Sequence, residues 1–157
     1  MEIERKWLTD TWPTLPETAR IEMRQGYLSL GPTVRIRSER CGEHTDYVLC
    51  IKGAGTLARE EIELPLTAEQ FARLEKVVGR PLIEKQQRRY ALPDGLVLEV
   101  NRVDAGQPGE FFYAEVEFSS VQQALLWEPG ELAGYLANEV TSTPGQSMGE
   151  YWRRTPL

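Results

Sequence analysis

The sequence is poor in the side chains that hold soft metals or form disulfide frameworks. It contains one histidine and two cysteines, Cys41 and Cys50, and their spacing matches no zinc knuckle. Because the N-terminus lacks the apolar run of a secretory signal, we expect reduced thiols and a cytoplasmic protein. These shortages argue against a small zinc domain and against a disulfide-stabilised secreted domain.

Long apolar runs and an excess of basic residues are also missing. No run of about eighteen apolar residues occurs, so no membrane-spanning helix is predicted. A formal net charge of −6 argues against general nucleic-acid binding, although a local basic pocket is compatible with it. The 157 residues, 41% hydrophobic and 27% charged, predict one globular domain over residues 1–157.

Alternation of charged and apolar residues predicts that most of the chain forms β-strands. The expected strands cover residues 1–6, 20–30, 33–40, 47–52, 59–64, 86–92, 96–102 and 111–118. One long helix is expected over residues 67–78, because Thr67 and Gln70 form a capping box before an apolar face that begins at Phe71. Shorter helical segments are expected over residues 121–126, 131–138 and 147–154.

Three of the expected strands carry two glutamates separated by one residue: Glu2 and Glu4, Glu61 and Glu63, and Glu115 and Glu117. Side chains alternate between the two faces of a strand, so each pair shares a face, and Lys6 shares it with the first pair. Two carboxylates about 7 Å apart repel by about 2 kcal/mol at an effective dielectric near 20. On an enclosed face that repulsion requires a cation.

Two architectures explain this pattern. An open antiparallel sheet would keep its charged face in water and its apolar face under helices. A closed barrel of about eight strands would turn the charges inward around one small ligand. Such a tunnel would suit a polyanion chelated by a divalent metal, because arginine and lysine bind phosphate oxygens and carboxylates bind hard cations. The pattern alone leaves both architectures open.

The ordered set of motifs resembles the CYTH superfamily, the triphosphate tunnel metalloenzymes. The stretch Glu2-Ile3-Glu4-Arg5-Lys6 is similar to that family's Glu-x-Glu-x-Lys signature. The remaining motifs follow in the family's order: Gln25-Gly26-Tyr27-Leu28, Val34-Arg35-Ile36-Arg37, Lys52, Glu61-Ile62-Glu63, Arg89-Tyr90, Ala114-Glu115-Val116-Glu117 and Glu139-Val140-Thr141. The resemblance covers nearly the whole chain and is nearest to short bacterial members, many of which hydrolyse inorganic tripolyphosphate.

The resemblance implies a mainly β (α+β) fold: a closed eight-stranded antiparallel tunnel barrel with helices packed outside. Its implied cofactor is Mg²⁺ or Mn²⁺, as one or two ions. The implied metal ligands are Glu2, Glu4, Glu61, Glu63, Glu115 and Glu117.

The resemblance also implies roles for the other polar residues. Lys6, with Tyr27, would orient or deprotonate the attacking water. The residues expected to bind phosphate oxygens are Arg35, Arg37, Lys52, Lys85 and Arg89. The helix over residues 147–154 would close one mouth of the tunnel.

The implied function is hydrolysis of tripolyphosphate to pyrophosphate and phosphate. Two alternatives stay open: an adenylate cyclase of the same superfamily, and a non-catalytic module that binds polyphosphate or nucleotide. The expected partner is a triphosphate-containing small molecule rather than nucleic acid or a membrane, and a homodimer is left open.

Two positions depart from the family pattern. Gln87 stands where the family usually has lysine, and Lys85, two residues earlier on the same face, is expected to replace it. Asn101 stands where relatives often have aspartate, which removes a negative charge near the metals. Either change could alter substrate preference or weaken the enzyme.

Overall fold

Ten strands and three helices make up most of residues 1–155, the part of the chain that the computed structural model describes. The strands are β1 (Glu2–Thr9), β2 (Ala19–Leu30), β3 (Thr33–Cys41), β4 (His44–Lys52), β5 (Ala58–Arg59), β6 (Glu61–Leu66), β7 (Ile83–Ala91), β8 (Val97–Val103), β9 (Phe111–Glu117) and β10 (Asn138–Glu139). The helices are α1 (Ala68–Val78), α2 (Val121–Leu126) and α3 (Met148–Arg154). Within residues 1–155, every helix is too short or too polar to span a membrane.

The strands form one sheet that curls into a nearly closed barrel. The longer strands hydrogen-bond in the order β1, β9, β8, β7, β2, β3, β4 and β6, and each neighbouring pair is antiparallel. The seam between β6 and β1 is bridged by β5, which pairs Arg59 with Glu2 and Ala58 with Ile3. The predicted eight-stranded tunnel is confirmed, with the two-residue strands β5 and β10 added to it.

On β1, β3, β6 and β9 the charged face points into the tunnel, whereas the charged residues Arg20, Glu22 and Arg24 of β2 are exposed on the outside. The side chains of Glu61 and Arg37 are only 18% and 16% exposed, although both are charged. On the outer face, Trp7 and Val116 are buried in a core cluster that also contains Ala124 of α2. The barrel interpretation is therefore correct, and the open sheet with its charges in water is wrong.

Helix α1 forms as its sequence predicts. Thr67 Oγ1 accepts a hydrogen bond from Gln70 N at 3.1 Å, and Gln70 Oε1 accepts one from Thr67 N at 2.9 Å, which completes the capping box. Phe71 is buried against Tyr47 of β4, with ring centroids 5.0 Å apart. Gly79 ends the helix in the left-handed conformation, at φ 73°. The helix thus packs on the outside of the barrel.

The helix predicted over residues 131–138 is wrong. This region contains one 3-10 turn, Gly130–Leu132, followed by the strand β10. β10 pairs with β1, and Arg5 donates to both carboxylate oxygens of Glu139 at 2.8 and 2.7 Å. Pairing with an open strand edge outweighs local helical preference here. The predicted strand 59–64 is likewise divided at Glu60 into β5 and β6.

Gly26 of β2 allows the C-terminal helix to approach the barrel. A Cβ atom at this position would lie 2.5 Å from Leu82 Cδ2 and 3.3 Å from Trp152 Cη2. We predict that Gly26→Ala destabilises the protein by about 1–3 kcal/mol, because overpacking forces neighbours to shift. Urea unfolding would measure this loss. Gly134→Ala, which meets no atom within 4 Å, is the control, and equal stability of both variants would contradict the prediction.

Candidate active site

A cavity of about 880 Å³ occupies the inside of the barrel. Every residue predicted for the site lines this cavity, and seven strands contribute these residues. These thirteen residues are Glu2, Glu4, Lys6, Tyr27, Arg35, Arg37, Lys52, Glu61, Glu63, Lys85, Arg89, Glu115 and Glu117.

The glutamates form an acidic wall, because β9, β1 and β6 follow one another around the barrel. Burial and the neighbouring Glu115 raise the pKa of Glu4 well above its usual value. Burial alone would also raise the pKa of Glu115, but a hydrogen bond from Glu4 and the charge of Lys6 lower it. The carboxyl group of Glu4 therefore keeps its proton more readily than that of Glu115, to which it is hydrogen-bonded.

A second acidic pair lies at the seam of the barrel. Lys52 Nζ is 3.1 and 3.0 Å from the carboxylate oxygens of Glu2 and 3.5 Å from Glu61 Oε2, and Arg59 Nε donates to Glu2 at 3.3 Å. Burial opposes ionisation of Glu2, but the hydrogen bond from Glu61 and the charge of Lys52 lower its pKa to about 2. Burial, together with the hydrogen bond and charge of Glu2, raises the pKa of Glu61 to about 7.

This donor set fits a hard divalent cation. Within each pair the carboxylates repel each other in an enclosed space, which helps to raise the pKa of Glu4 and of Glu61, and a doubly charged cation would relieve that repulsion. Glu63 and Glu117 are exposed and belong to the same wall. Six carboxylates that converge on one side of a cavity are the oxygen ligands that such cations prefer.

The opposite half of the barrel is basic. The strand order puts β2 across from β1, with β3 and β7 on either side of β2. Arg35 is only 8% exposed, and its Nε has no hydrogen-bond partner among residues 1–155. Arg37 donates from Nε and Nη2 to Glu39 Oε1 at 3.1 and 2.7 Å. An anion in the tunnel would therefore meet one unsatisfied guanidinium group and one that is already oriented.

Two lysines meet at the ring of Tyr113. Lys6 Nζ lies 4.4 Å from the ring centroid and donates to Gln146 O, and Lys85 Nζ donates to the Tyr113 hydroxyl at 2.7 Å. Burial lowers the pKa of Lys6. Burial and the charge of Arg37 lower the pKa of Lys85 well below its usual value. The environment therefore makes both ammonium groups easier to deprotonate than a lysine in water.

Tyr27 lies on β2 and faces the same cavity. Its hydroxyl accepts a hydrogen bond from Gln25 Nε2 at 3.0 Å, and its ring packs on Trp152 of α3 with centroids 5.8 Å apart. The preceding Gln146–Ser147 segment also lines the cavity, so the C-terminal region covers this side of the tunnel. The aromatic ring in contact with the Lys6 ammonium is Tyr113 rather than Tyr27.

Four ionisable residues that line the tunnel were not among the predicted site residues. Alternation along a strand could have found them, because each lies two residues from a predicted site residue or from a noted departure. They are Glu39 beside Arg37, Arg59 beside Glu61, Glu99 beside Asn101, and Tyr113 beside Glu115. Tyr113 and Arg59 are the informative omissions, since they contact Lys6 and Glu2 directly.

The two departures from the family pattern lie opposite each other. Gln87 on β7 pairs with Asn101 on β8, and Gln87 Nε2 donates to Asn101 Oδ1 at 3.0 Å. Gln87 Oε1 in turn accepts a hydrogen bond from Arg89 Nε at 2.9 Å. Lys85 donates to Tyr113, and Gln87 is held between the amide group of Asn101 and the guanidinium group of Arg89.

A barrel whose acidic wall faces a basic wall defines the class of triphosphate tunnel enzymes. The sequence matches no family model. Over 128 residues it is 35% identical to the inorganic triphosphatase of Nitrosomonas europaea. The matched segment covers 82% of this chain and 83% of that relative. The chain therefore belongs to the inorganic triphosphatase family of the CYTH superfamily.

Solved structures support the same assignment. The crystal structure of an inorganic triphosphatase is 26% identical, with a TM-score of 0.65 and coverage of 100% of this chain and 97% of that chain. A candidate adenylyl cyclase from Hippeastrum with a dominant triphosphatase activity is 17% identical, with a TM-score of 0.63 and the same coverage. Because its identity is only 17%, the similarity to the Hippeastrum protein supports the fold alone.

The centre of the acidic wall can be tested by metal binding. We predict that Glu115→Gln weakens Mn²⁺ binding at least about tenfold, because even outer-shell changes at metal sites commonly cost that much. Isothermal titration calorimetry would measure the affinity. Glu84→Gln, an exposed change on β7 outside the tunnel, should bind Mn²⁺ as the unchanged protein does. Equal affinities in both variants would remove Glu115 from the metal cluster.

Proposed function

We propose that this protein hydrolyses inorganic tripolyphosphate to pyrophosphate and phosphate, with Mg²⁺ or Mn²⁺ as cofactor. The observation that carries the proposal is the enclosed acidic wall of β9, β1 and β6 facing the basic residues of β3 and β7. A linear polyanion with a chelated cation has the charge distribution that such a tunnel would bind. Membership of the inorganic triphosphatase family supports the same substrate.

The proposed metal ligands are the six glutamates of the acidic wall: Glu2, Glu4, Glu61, Glu63, Glu115 and Glu117. A divalent cation held there would neutralise phosphate oxygens and polarise the phosphorus that is attacked. The carboxyl groups of Glu4 and Glu115 are hydrogen-bonded to each other across the adjacent strands β1 and β9, so we assign them to the centre of the cluster.

The proposed phosphate-binding residues are Arg35, Arg37, Lys52, Lys85 and Arg89. Arg35 supports this role because its buried Nε has no partner in the described chain and would gain one from a phosphate oxygen. Arg37 is fixed by Glu39 and Arg89 by Gln87, so neither arginine has to be ordered by the substrate. Preorganised cations of this kind stabilise charge that develops on the leaving pyrophosphate.

Lys6 is the proposed activator of water. It shares a strand face with Glu2 and Glu4, and its cross-strand neighbour is Glu115, so its amine lies beside the proposed metal cluster. Its Nζ would orient the water or accept its proton. Tyr27 remains the proposed helper, and Tyr113 joins it because its ring lies against the Lys6 ammonium.

The proposal also includes the binding partner and the cellular compartment. The expected partner is a triphosphate-containing small molecule, not nucleic acid or a membrane, and the expected compartment is the cytoplasm. No feature of residues 1–155 described above favours an adenine pocket, so cyclisation of ATP is retained only as an outcome of the test.

A substrate panel tests the reaction. We expect phosphate release from tripolyphosphate with Mg²⁺ or Mn²⁺, its loss in EDTA, and slower turnover of pyrophosphate, ATP and thiamine triphosphate. Phosphate and cyclic AMP should be read in the same samples. Tripolyphosphate binding without hydrolysis under either cation would favour the binding module, and cyclic AMP from ATP would favour the cyclase.

Two substitutions separate the role of Lys6 from that of Arg35. Lys6→Ala should lower kcat by about 100-fold or more, in the range seen for general bases. Arg35→Ala should mainly raise KM if the guanidinium group binds ground and transition states equally. Steady-state kinetics on tripolyphosphate would measure both parameters. A Lys6→Ala enzyme with unchanged kcat and a raised KM would make Lys6 a phosphate ligand instead.

A further inference from the structure

Cys50 is a buried thiol beside the acidic wall, and the proposed reaction gives it no role. It is 0% exposed and lies on β4, opposite Glu63 of β6 and opposite Arg35 of β3. Its sulfur and one carboxylate oxygen each from Glu61 and Glu63 all lie within 4.8 Å of one another. One thiol and two carboxylates therefore converge on a single point at the seam side of the tunnel.

These three atoms are close enough to be bridged by one ion. Around a tetrahedral Zn²⁺ with bonds of about 2.0–2.3 Å, ligand atoms stand roughly 3.5 Å apart. Contraction from 4.8 Å requires shifts of about 1 Å, which the exposed side chain of Glu63 can make. Lys52 lies 3.5 Å from Glu61, but its ammonium is already balanced by Glu2 at 3.0 Å.

Arg35, the proposed phosphate ligand, indicates that this corner of the tunnel receives an anion. The residue is 92% buried, lines the same cavity, and keeps an Nε without a hydrogen-bond partner among residues 1–155. A buried donor left unsatisfied is costly, so it indicates an acceptor that binds here. Arg35 is the cross-strand neighbour of Cys50, so the anion that it binds would be available as a fourth ligand to a cation held by Cys50, Glu61 and Glu63.

We propose that Cys50, Glu61 and Glu63 form a binding site for a thiophilic divalent cation such as Zn²⁺. Thiolate sulfur selects Zn²⁺, Co²⁺ and Cd²⁺ over Mg²⁺, whereas carboxylates alone do not. The thiol proton passes to solvent as the sulfur–metal bond forms. Because Glu61 also belongs to the proposed Mg²⁺ cluster, occupancy by Zn²⁺ withdraws it and inhibits hydrolysis. Only this last consequence rests on the proposed function.

Co²⁺ absorption tests the site directly. Cys41 lies opposite His44 at an exposed hairpin end and could give its own signal, so the titration uses Cys41→Ser as the background. We expect a thiolate-to-Co²⁺ charge-transfer band in the near ultraviolet in this background and its absence after Cys50→Ser is added. Circular dichroism confirms folding, and Glu63→Gln, which should weaken the band, replaces Cys50→Ser if that variant does not fold. A band that survives these changes, or none in the background, overturns the proposal.

Inhibition tests the consequence. In Cys41→Ser with saturating Mg²⁺, Zn²⁺ should inhibit tripolyphosphate hydrolysis, and adding Cys50→Ser should raise the half-inhibiting Zn²⁺ concentration about tenfold or more. Unchanged inhibition would overturn the inhibitory role. A Co²⁺ band in a protein that does not hydrolyse tripolyphosphate would support the site and refute the proposed function. Normal hydrolysis without a Co²⁺ band would support the proposed function and refute the site.

Discussion

The buried pair of Lys52 and Glu2 is the interaction on which the tunnel depends. Neighbouring long strands pair over six or more residues, whereas the seam to β1 is bridged by the two residues of β5. Lys52 and Arg59 both bind Glu2 and so join β4 and β5 to β1 by charge. Removing one partner of a buried pair costs about 3–5 kcal/mol. Glu2, Lys52 and Arg59 thus close the barrel and also contribute charge to its interior.

Closure also determines how the two walls differ. The acidic wall is crowded enough that Glu4 and Glu61 keep raised pKa values, while the basic wall holds Arg37 and Arg89 through short side-chain bonds. Crowded carboxylates gain from a bound cation, and fixed guanidinium groups need little reordering to bind an anion. A metal-bound triphosphate is the ligand for which both arrangements are useful at once.

Alternation of side chains was sufficient to predict that the paired glutamates and arginines of β1, β3, β6 and β9 share one face of their strands, because residues separated by one position do so. It could not predict closure, since the pairing of β5 with β1 joins residues more than fifty positions apart. For the same reason the sequence pattern predicted a helix over residues 131–138, where Arg5 instead holds the strand β10 against β1. Tyr113 was missed because an aromatic residue at the edge of a polar face looks like core. Contacts between distant strands decide each of these cases.

The neutral pair of Gln87 and Asn101 is best understood as one change rather than two. In the family pattern these positions carry a lysine and often an aspartate, and the structure puts them directly opposite each other. Replacing both by amides leaves the net charge of the tunnel unaltered and avoids a buried unpaired carboxylate, which changing the lysine alone would create. Gln87 then binds Arg89 through Nε and leaves the two terminal nitrogens of that guanidinium group for the substrate. The departure therefore removes one mobile cation while it fixes a neighbouring one, so it alters how the phosphate chain is held without dismantling the basic wall.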